Sequence, residues 1–297
     1  SQIGEYLHPD DLLVVNQTRV LAARLLGHKV PTGGKVELLL LKQKNSLEWE
    51  ALVGGKRMQA GSQVELKKGV QAEIVSELSG AMRLVRFDQD ITALLDQIGQ
   101  TPLPPYITAK LYDAERYQTV YSKDSGSAAA PTAGLHFTPE LIDSLKSKGV
   151  GHTALTLHVG LDTFAPVNED DPQEHEIHKE WCQLNDESAQ TIQRAKAAGG
   201  RIVAVGTTSV RVLETAGQNA GADEVVAPFE GLTKLFILPG YQFGVVDGMI
   251  TNFHLPRSTL LMLVSAMVGR QKILNAYQEA IQAGYRFYSF GDAMLIL

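Results

Sequence analysis

The sequence predicts an α/β protein whose sheet is interrupted near its start by a β-rich insertion. Three observations carry this. From Tyr106 onwards, apolar runs such as Thr153–Val159 and Arg201–Val205 alternate with helical stretches such as Leu141–Lys148 and Glu187–Ala198. From Val20 to about Pro105 the texture is different: short β-rich runs recur at roughly 8–12 residues between Gly, Lys and Ser turns, which suits a small barrel or sandwich. The early apolar run Leu12–Val15, ending in Asn16-Gln17-Thr18-Arg19, reads as a strand of the later sheet. The expected division is therefore 1–20 with 106–297 as the α/β domain and 21–105 as the insertion.

In the insertion, the runs VELLLLKQ, EWEALV, SQVELK, VQAEIV and MRLVRFD are separated by turns at Gly33-Gly34, Gly54-Gly55, Lys67-Lys68-Gly69 and Ser79-Gly80. Ile91–Ile98 closes it as a short helix, and TPLPPY (101–106) is a stiff linker that no helix can cross. Thr138-Pro139-Glu140 has the chemistry of a helix start: a capping hydroxyl, a proline whose missing N–H costs nothing, and an acid facing the positive dipole end. Glu174–Trp181 reads as polar and helical, and Glu187–Ala198 as a helix stopped by Gly199-Gly200. Leu235–Leu238 reads as a strand ended by Pro239-Gly240, and Val245–Thr251 as one leading into the His254 loop. Leu260–Val268 and Ile273–Ala283 read as helices, and Tyr285–Leu297 as a final strand region.

Net charge is −6, and acidic balance argues against a broad basic nucleic-acid surface while leaving room for a local one. Cys182 is the only cysteine, so the chain has no internal disulfide framework, in keeping with a reducing cytoplasm. The longest apolar run, Leu260–Val268, is too short to span a bilayer, and no signal peptide is visible.

Four stretches share one pattern: a strand or loop end, then small polar residues or histidine, then a helix or loop. They are AAPTAGLHFT (129–138), LTLHVG (155–160), IVAVGTTS (202–209) and MITNFHLPRS (249–258). In an open α/β sheet such strand ends lie on one edge and form the ligand crevice. The pattern nominates His136, His158 and His254 as acid–base groups. Thr207, Thr208 and Ser209 follow Gly206 at a helix start, where free amides favour a carboxylate or phosphate; simple helix capping is the bland alternative. Thr132, Gly134, Gly160 and Asn252 lie in the same loops, and Arg19, Arg116 and Arg211 can meet an anion in bidentate fashion. Tyr117 and Tyr121 offer either a stacking surface for a base or ordinary core packing. His175 and His178, three residues apart with Glu180 nearby, suit a solvated polar wall of the site better than a metal.

These motifs resemble one family. NQTRVLAARL, PLPPYI, ERYQTVY, AAPTAGLHFT, LTLHVGLDTFAPV, EHEIHKE, VGTTSVRVLE, VVDGMITNFHLPRSTLLMLVSAM and YRFYSFGDAML, in this order, are similar to the S-adenosylmethionine:tRNA ribosyltransferase-isomerases of queuosine biosynthesis. The resemblance implies a three-layer α/β sandwich with an inserted small β-barrel. It implies ribosyl transfer and isomerisation from S-adenosylmethionine onto 7-aminomethyl-7-deazaguanine at the tRNA wobble position, giving epoxyqueuosine-tRNA, adenine and methionine. S-adenosylmethionine is then a consumed substrate; no further cofactor and no metal is expected. The anticodon arm of tRNA is the macromolecular partner, with no membrane, for a cytoplasmic monomer. Two positions depart from the family pattern: Gln17 stands where a second Asn is usual, and Asp162 where a glycine is usual. The rival expectations are a non-catalytic RNA- or nucleotide-binding protein and a metal-dependent hydrolase built on His175 and His178.

Overall fold

The computed structural model describes residues 2–104, 106–109, 111–160, 177 and 179–297. The chain divides into two compact units. One gathers Ser1–Arg19, Glu115–Asp124 and Ala130–Leu297; the other is Val20–Ala114 with Ser125–Ala129. His175, His178, Asp162 and half of the expected Glu174–Trp181 helix lie outside the described residues.

After β1 (Leu12–Asn16) and β2 (Thr18–Val20), the chain builds the second unit. Its strands are β3 (Arg24–Val30), β4 (Lys35–Gln43), β5 (Glu48–Gly54), β6 (Gln63–Leu66), β7 (Gln71–Glu77) and β8 (Met82–Phe87). They pair antiparallel in the ring β3-β4-β5-β8-β7-β6 and back to β3. This is a closed six-stranded barrel, and closure leaves those strands no free edge. Alternation along β4 sends Val36, Leu38 and Leu40 into a core shared with Leu25, Trp49, Ile74, Val85 and Phe87. Register shifts at Leu40/Lys42 and Ile74/Ser76 are bulges, which bend strands sharply enough to curl a sheet. The short α1 (Leu95–Ile98) packs Leu95 and Ile98 into this core, and β9 (Gly99–Gln100) adds to β3. The sequence reading omitted β3: Gly27 holds an inward position and Leu26 an outward one, so its alternation is masked.

Beyond β10 (Asp124–Ser127), which pairs with β2, the elements are α2 (Pro139–Ser147), β11 (Gly151–Leu157), β12 (Glu180–Leu184), α3 (Asp186–Ala197), β13 (Ile202–Val205) and α4 (Thr207–Gln218). β14 (Phe229–Thr233), β15 (Gly248–Asn252), α5 (Thr259–Val268), α6 (Arg270–Gln282) and β16 (Ala293–Ile296) complete the chain. The sheet order is β14-β12-β11-β1-β13-β15-β16. The four central strands run parallel and the flanking ones antiparallel. Leu13, Val15, Val203, Val205 and Ile250 form a core with Phe137 and Leu145 of the α2 region. On the opposite face Thr153 bonds Ser188 of α3 at 3.0 Å, while its neighbour Ala154 packs on the α2 side. The unit is thus a three-layer α/β sandwich.

Three expected elements are corrected. Leu235–Leu238 is not a strand; the edge strand is β14, and Leu235 turns its backbone to side chains instead. Glu180 and Trp181 begin a strand, not a helix end, because they pair with Thr233 and Leu232. Of Tyr285–Leu297, only β16 is strand.

Candidate active site at the strand ends

The parallel strands β11, β1, β13 and β15 end at Leu157, Asn16, Val205 and Asn252, on one edge of the sheet. Asn16 ties the ends of β1 and β11 to the start of α4. Fully buried, its Oδ1 accepts from the amides of Leu157 and Thr18, each at 3.1 Å. Its Nδ2 donates to the Leu157 carbonyl at 3.0 Å and to Thr208 Oγ1 at 3.3 Å. The sequence reading noted the Asn16–Arg19 cluster but not this role, which needs partners far away in the chain.

Helix α4 starts after Gly206, whose φ of +88° is a conformation that favours glycine. No side chain caps it. The amides of Thr207, Thr208 and Ser209 therefore point from the positive end of the helix dipole, as in anion sites. The Ser209 hydroxyl is not part of any such site: it is buried and donates to the Val205 carbonyl at 2.8 Å. Ala133 packs over Gly206, 3.5 Å from where a Cβ would stand, so the Thr132–His136 turn lies against this helix start.

That turn carries the first histidine. Asn252 accepts from the Thr132 hydroxyl at 3.2 Å and donates through Nδ2 to the Tyr288 carbonyl at 3.1 Å. A carbonyl can only accept, so the other Nδ2 hydrogen faces His136 Nε2, 2.9 Å away. His136 Nε2 must then be the lone-pair nitrogen, leaving the proton on Nδ1. Desolvation lowers the His136 pKa, with Asp292 opposing and Arg286 adding to the effect, so the ring is held neutral.

The second histidine is arranged the opposite way. His158 Nδ1 lies 2.8 Å from Thr18 Oγ1, and the Thr18 hydroxyl donates to the Asp124 carbonyl at 3.4 Å. In the tautomer in which Thr18 donates to that carbonyl, His158 carries its proton on Nδ1 and gives it to Thr18, and Nε2 is the basic nitrogen. Its ring stacks on Trp181 with centroids 4.9 Å apart. The Asp124 carboxylate accepts from Thr156 at 2.6 Å and from Gln17 at 2.9 Å. Desolvation lowers the His158 pKa and Asp124 partly restores it. Thr18 and Asp124 were not singled out from the sequence, since neither carries a recognisable spacing.

The third histidine is less central. His254 Nε2 lies 2.8 Å from the Thr251 hydroxyl, and its amide donates to the Tyr277 phenol at 2.8 Å. Thr251 and Asn252 are adjacent on β15 and point to opposite faces, so His254 and His136 belong to different sides of that strand. Desolvation pulls the His254 pKa down to about 4.

The remaining candidates divide sharply. Arg211 is buried against Glu180 in an ion pair, and its Nε donates to the Leu235 carbonyl at 3.1 Å; it holds the fold together here. Glu180 also accepts from the Gly160 amide at 2.9 Å. Tyr117 is fully buried, so it is core and not a stacking surface. Gly134 is a packing residue: a Cβ there would stand 2.2 Å from the Tyr121 phenol oxygen. Arg116 is exposed. Arg19 pairs with Glu115 and Ser122 at the surface, where an ion pair is worth little and readily exchanged. A mostly apolar pocket of about 380 Å³ opens beside His136, between Tyr6, Leu141 and Met294. Among the described residues, no group of three or more His, Cys, Asp or Glu side chains could hold a metal ion.

The family model described as queuosine biosynthesis protein matches residues 1–296. The chain belongs to that family. It is 53% identical over 300 residues to the S-adenosylmethionine:tRNA ribosyltransferase-isomerase of Acetivibrio thermocellus, covering all of this chain and 87% of that protein. The crystal structure of the S-adenosylmethionine tRNA ribosyltransferase from Thermotoga maritima matches with a TM-score of 0.53 at 36% identity. That match covers all of this chain and 85% of the other. The family's sandwich with an inserted barrel is the architecture described above.

Proposed function

We propose that this chain transfers and isomerises the ribosyl moiety of S-adenosylmethionine onto 7-aminomethyl-7-deazaguanine at the wobble position of tRNA, releasing adenine and methionine. The observation that carries the reading is the 53% identity to an S-adenosylmethionine:tRNA ribosyltransferase-isomerase along the whole chain. The strand-end arrangement supports it, because the reaction needs a proton acceptor, a proton donor and an anion holder close together.

The sulfonium acidifies the C5′ protons of the substrate. His158 is the proton acceptor, through the Nε2 that its Thr18 contact leaves unprotonated. His136 hydrogen-bonds the departing adenine through the Nδ1–H that Asn252 fixes, and the proton that adenine takes up is the one His158 received from C5′. The Thr207 and Thr208 amides hold the methionine carboxylate. Asn252 orients His136, and the Thr132 hydroxyl is spent on Asn252. S-adenosylmethionine is consumed, so the scheme calls on no resident cofactor or metal. The enzyme acts as a cytoplasmic monomer on the anticodon arm; no helix among the described residues is long and apolar enough to cross a membrane.

The test is free adenine. Wild-type protein with S-adenosylmethionine and precursor-bearing tRNA should release it. His158→Ala should fold normally by circular dichroism and release it about a hundredfold more slowly or worse. Turnover by His158→Ala at the wild-type rate would remove the proton acceptor from the scheme. No adenine from the wild type would remove the function.

A further inference from the structure

The segment Tyr285–Phe290, YRFYSF, has no part in the scheme above, yet it adjoins the Asn252–His136 pair. Its aromatics alternate in role. Phe287 packs inward on Phe253 and Tyr277, with centroids 4.9 Å and 5.6 Å apart. Tyr288 and Phe290 remain 37% and 39% exposed. Phe290 is backed by the buried Tyr117 ring at 5.9 Å.

The backbone that presents Tyr288 is pinned from several sides. Its amide donates to the Phe253 carbonyl at 3.0 Å, and its carbonyl accepts from Asn252 Nδ2 and from the Gly291 amide, both at 3.1 Å. Asp292 closes the loop by accepting from the Arg286 amide at 2.7 Å. Tyr288 itself sits at φ +70°, where bulky residues are outliers. Such strain persists only where the surroundings enforce it, and it concentrates at binding sites. The same loop projects the largely exposed Arg286, its side chain 76% accessible.

We infer that Tyr288 and Phe290 form a stacking platform for an unpaired nucleobase of the RNA substrate, with Arg286 beside it for the adjoining phosphate. The identity of the RNA rests on the ribosyl-transfer reading. Aromatic faces stack on any splayed-out base in a single-stranded loop. An acidic chain of net charge −6 gains little from phosphate neutralisation, so a contact independent of charge is what it needs. The platform joins the reacting centre through one residue, since Asn252 Nδ2 touches both Tyr288 and His136.

The experiment measures binding of a fluorescein-labelled anticodon stem-loop RNA by anisotropy. Tyr288→Asn removes the ring and suits the positive φ, which Asn tolerates well. It should weaken stem-loop binding about tenfold or more. Tyr288→Phe should stay within about twofold of wild type, and Phe290→Leu should fall on the same side as Tyr288→Asn. The salt slope of binding, the affinity for a fully paired RNA duplex and the calorimetric affinity for S-adenosylmethionine should all stay as in wild type. Undiminished stem-loop binding by Tyr288→Asn overturns the platform. So does Tyr288→Phe as weak as Tyr288→Asn, or a loss confined to S-adenosylmethionine, which would put adenine on the ring instead. If wild-type protein binds the stem-loop but yields no adenine, the reaction assignment fails and the platform stands. If it does not bind the stem-loop at all, the platform falls too.

Discussion

Thr18 separates the two histidines of the strand-end centre. His136 has its Nε2 filled by an amide donor, whereas His158 meets a hydroxyl at Nδ1. The same residue type is thereby held at a different ring nitrogen by each partner. If that is what Thr18 does, Thr18→Val leaves His158 free to change tautomer and rotate on Trp181. We expect kcat to fall about tenfold or more, with KM for S-adenosylmethionine little changed, by analogy with the loss of a partner that orients a functional histidine. Thr18→Ser should restore both kcat and the wild-type pH–rate profile. Equal losses in Val and Ser variants would show a packing role only. The three histidines were legible in the sequence from their positions after apolar runs. Their protonation was not, because Thr18 and His158 are 140 residues apart in the chain.

At the scale of elements, local chemistry was readable wherever a segment's hydrogen bonds close within the segment. Thr138 does cap α2, accepting from the Leu141 amide at 3.2 Å, with Pro139 in the first turn. Leu235–Leu238 fails for the opposite reason: its apolar run looks like a strand, but Leu235 gives its carbonyl to Arg211 and its amide to Thr233. The Thr132–His136 turn shows how one such contact shapes a site. Gly134 is required because the Tyr121 phenol occupies the space a Cβ would fill. Gly134→Ala should therefore destabilise the protein by about 1–3 kcal/mol through overpacking, read as a lower urea midpoint. Tyr121→Phe removes the offending oxygen, which has no hydrogen-bond partner to lose among the described residues. Adding it to Gly134→Ala should recover part of the loss. If the two changes are strictly additive, the contact is not the reason for the glycine.

Across the whole molecule, the family resemblance carried the barrel that local periodicity left open between barrel and sandwich. Closure depends on β3 meeting both β4 and β6, and pairings between distant strands leave no local trace. A second global property follows from burial. His136, His152, His158 and His254 all have lowered pKa values, each with desolvation as the leading cause. A histidine lowered in the fold is protonated first in the unfolded chain. Its contribution is complete above the unfolded value near 6.5 and is lost as the pH falls from there towards the folded value. For His254 that window runs from about 6.5 to about 4, and a shift of that size is worth about 3 kcal/mol at most. The lowered carboxylates lose their contribution below about pH 5, since their ordinary values are 3.8 for Asp11 and 4.5 for Glu48 and Glu140. The urea midpoint should therefore drop clearly between pH 7 and pH 5, while acids still contribute fully. His254→Gln, which cannot titrate, should flatten part of that slope whatever it costs at pH 7. A midpoint that is level from pH 7 to pH 5 in the wild type would mean that these rings are hydrated in solution, and the neutral His158 that the proposed proton transfer requires would lose its physical basis.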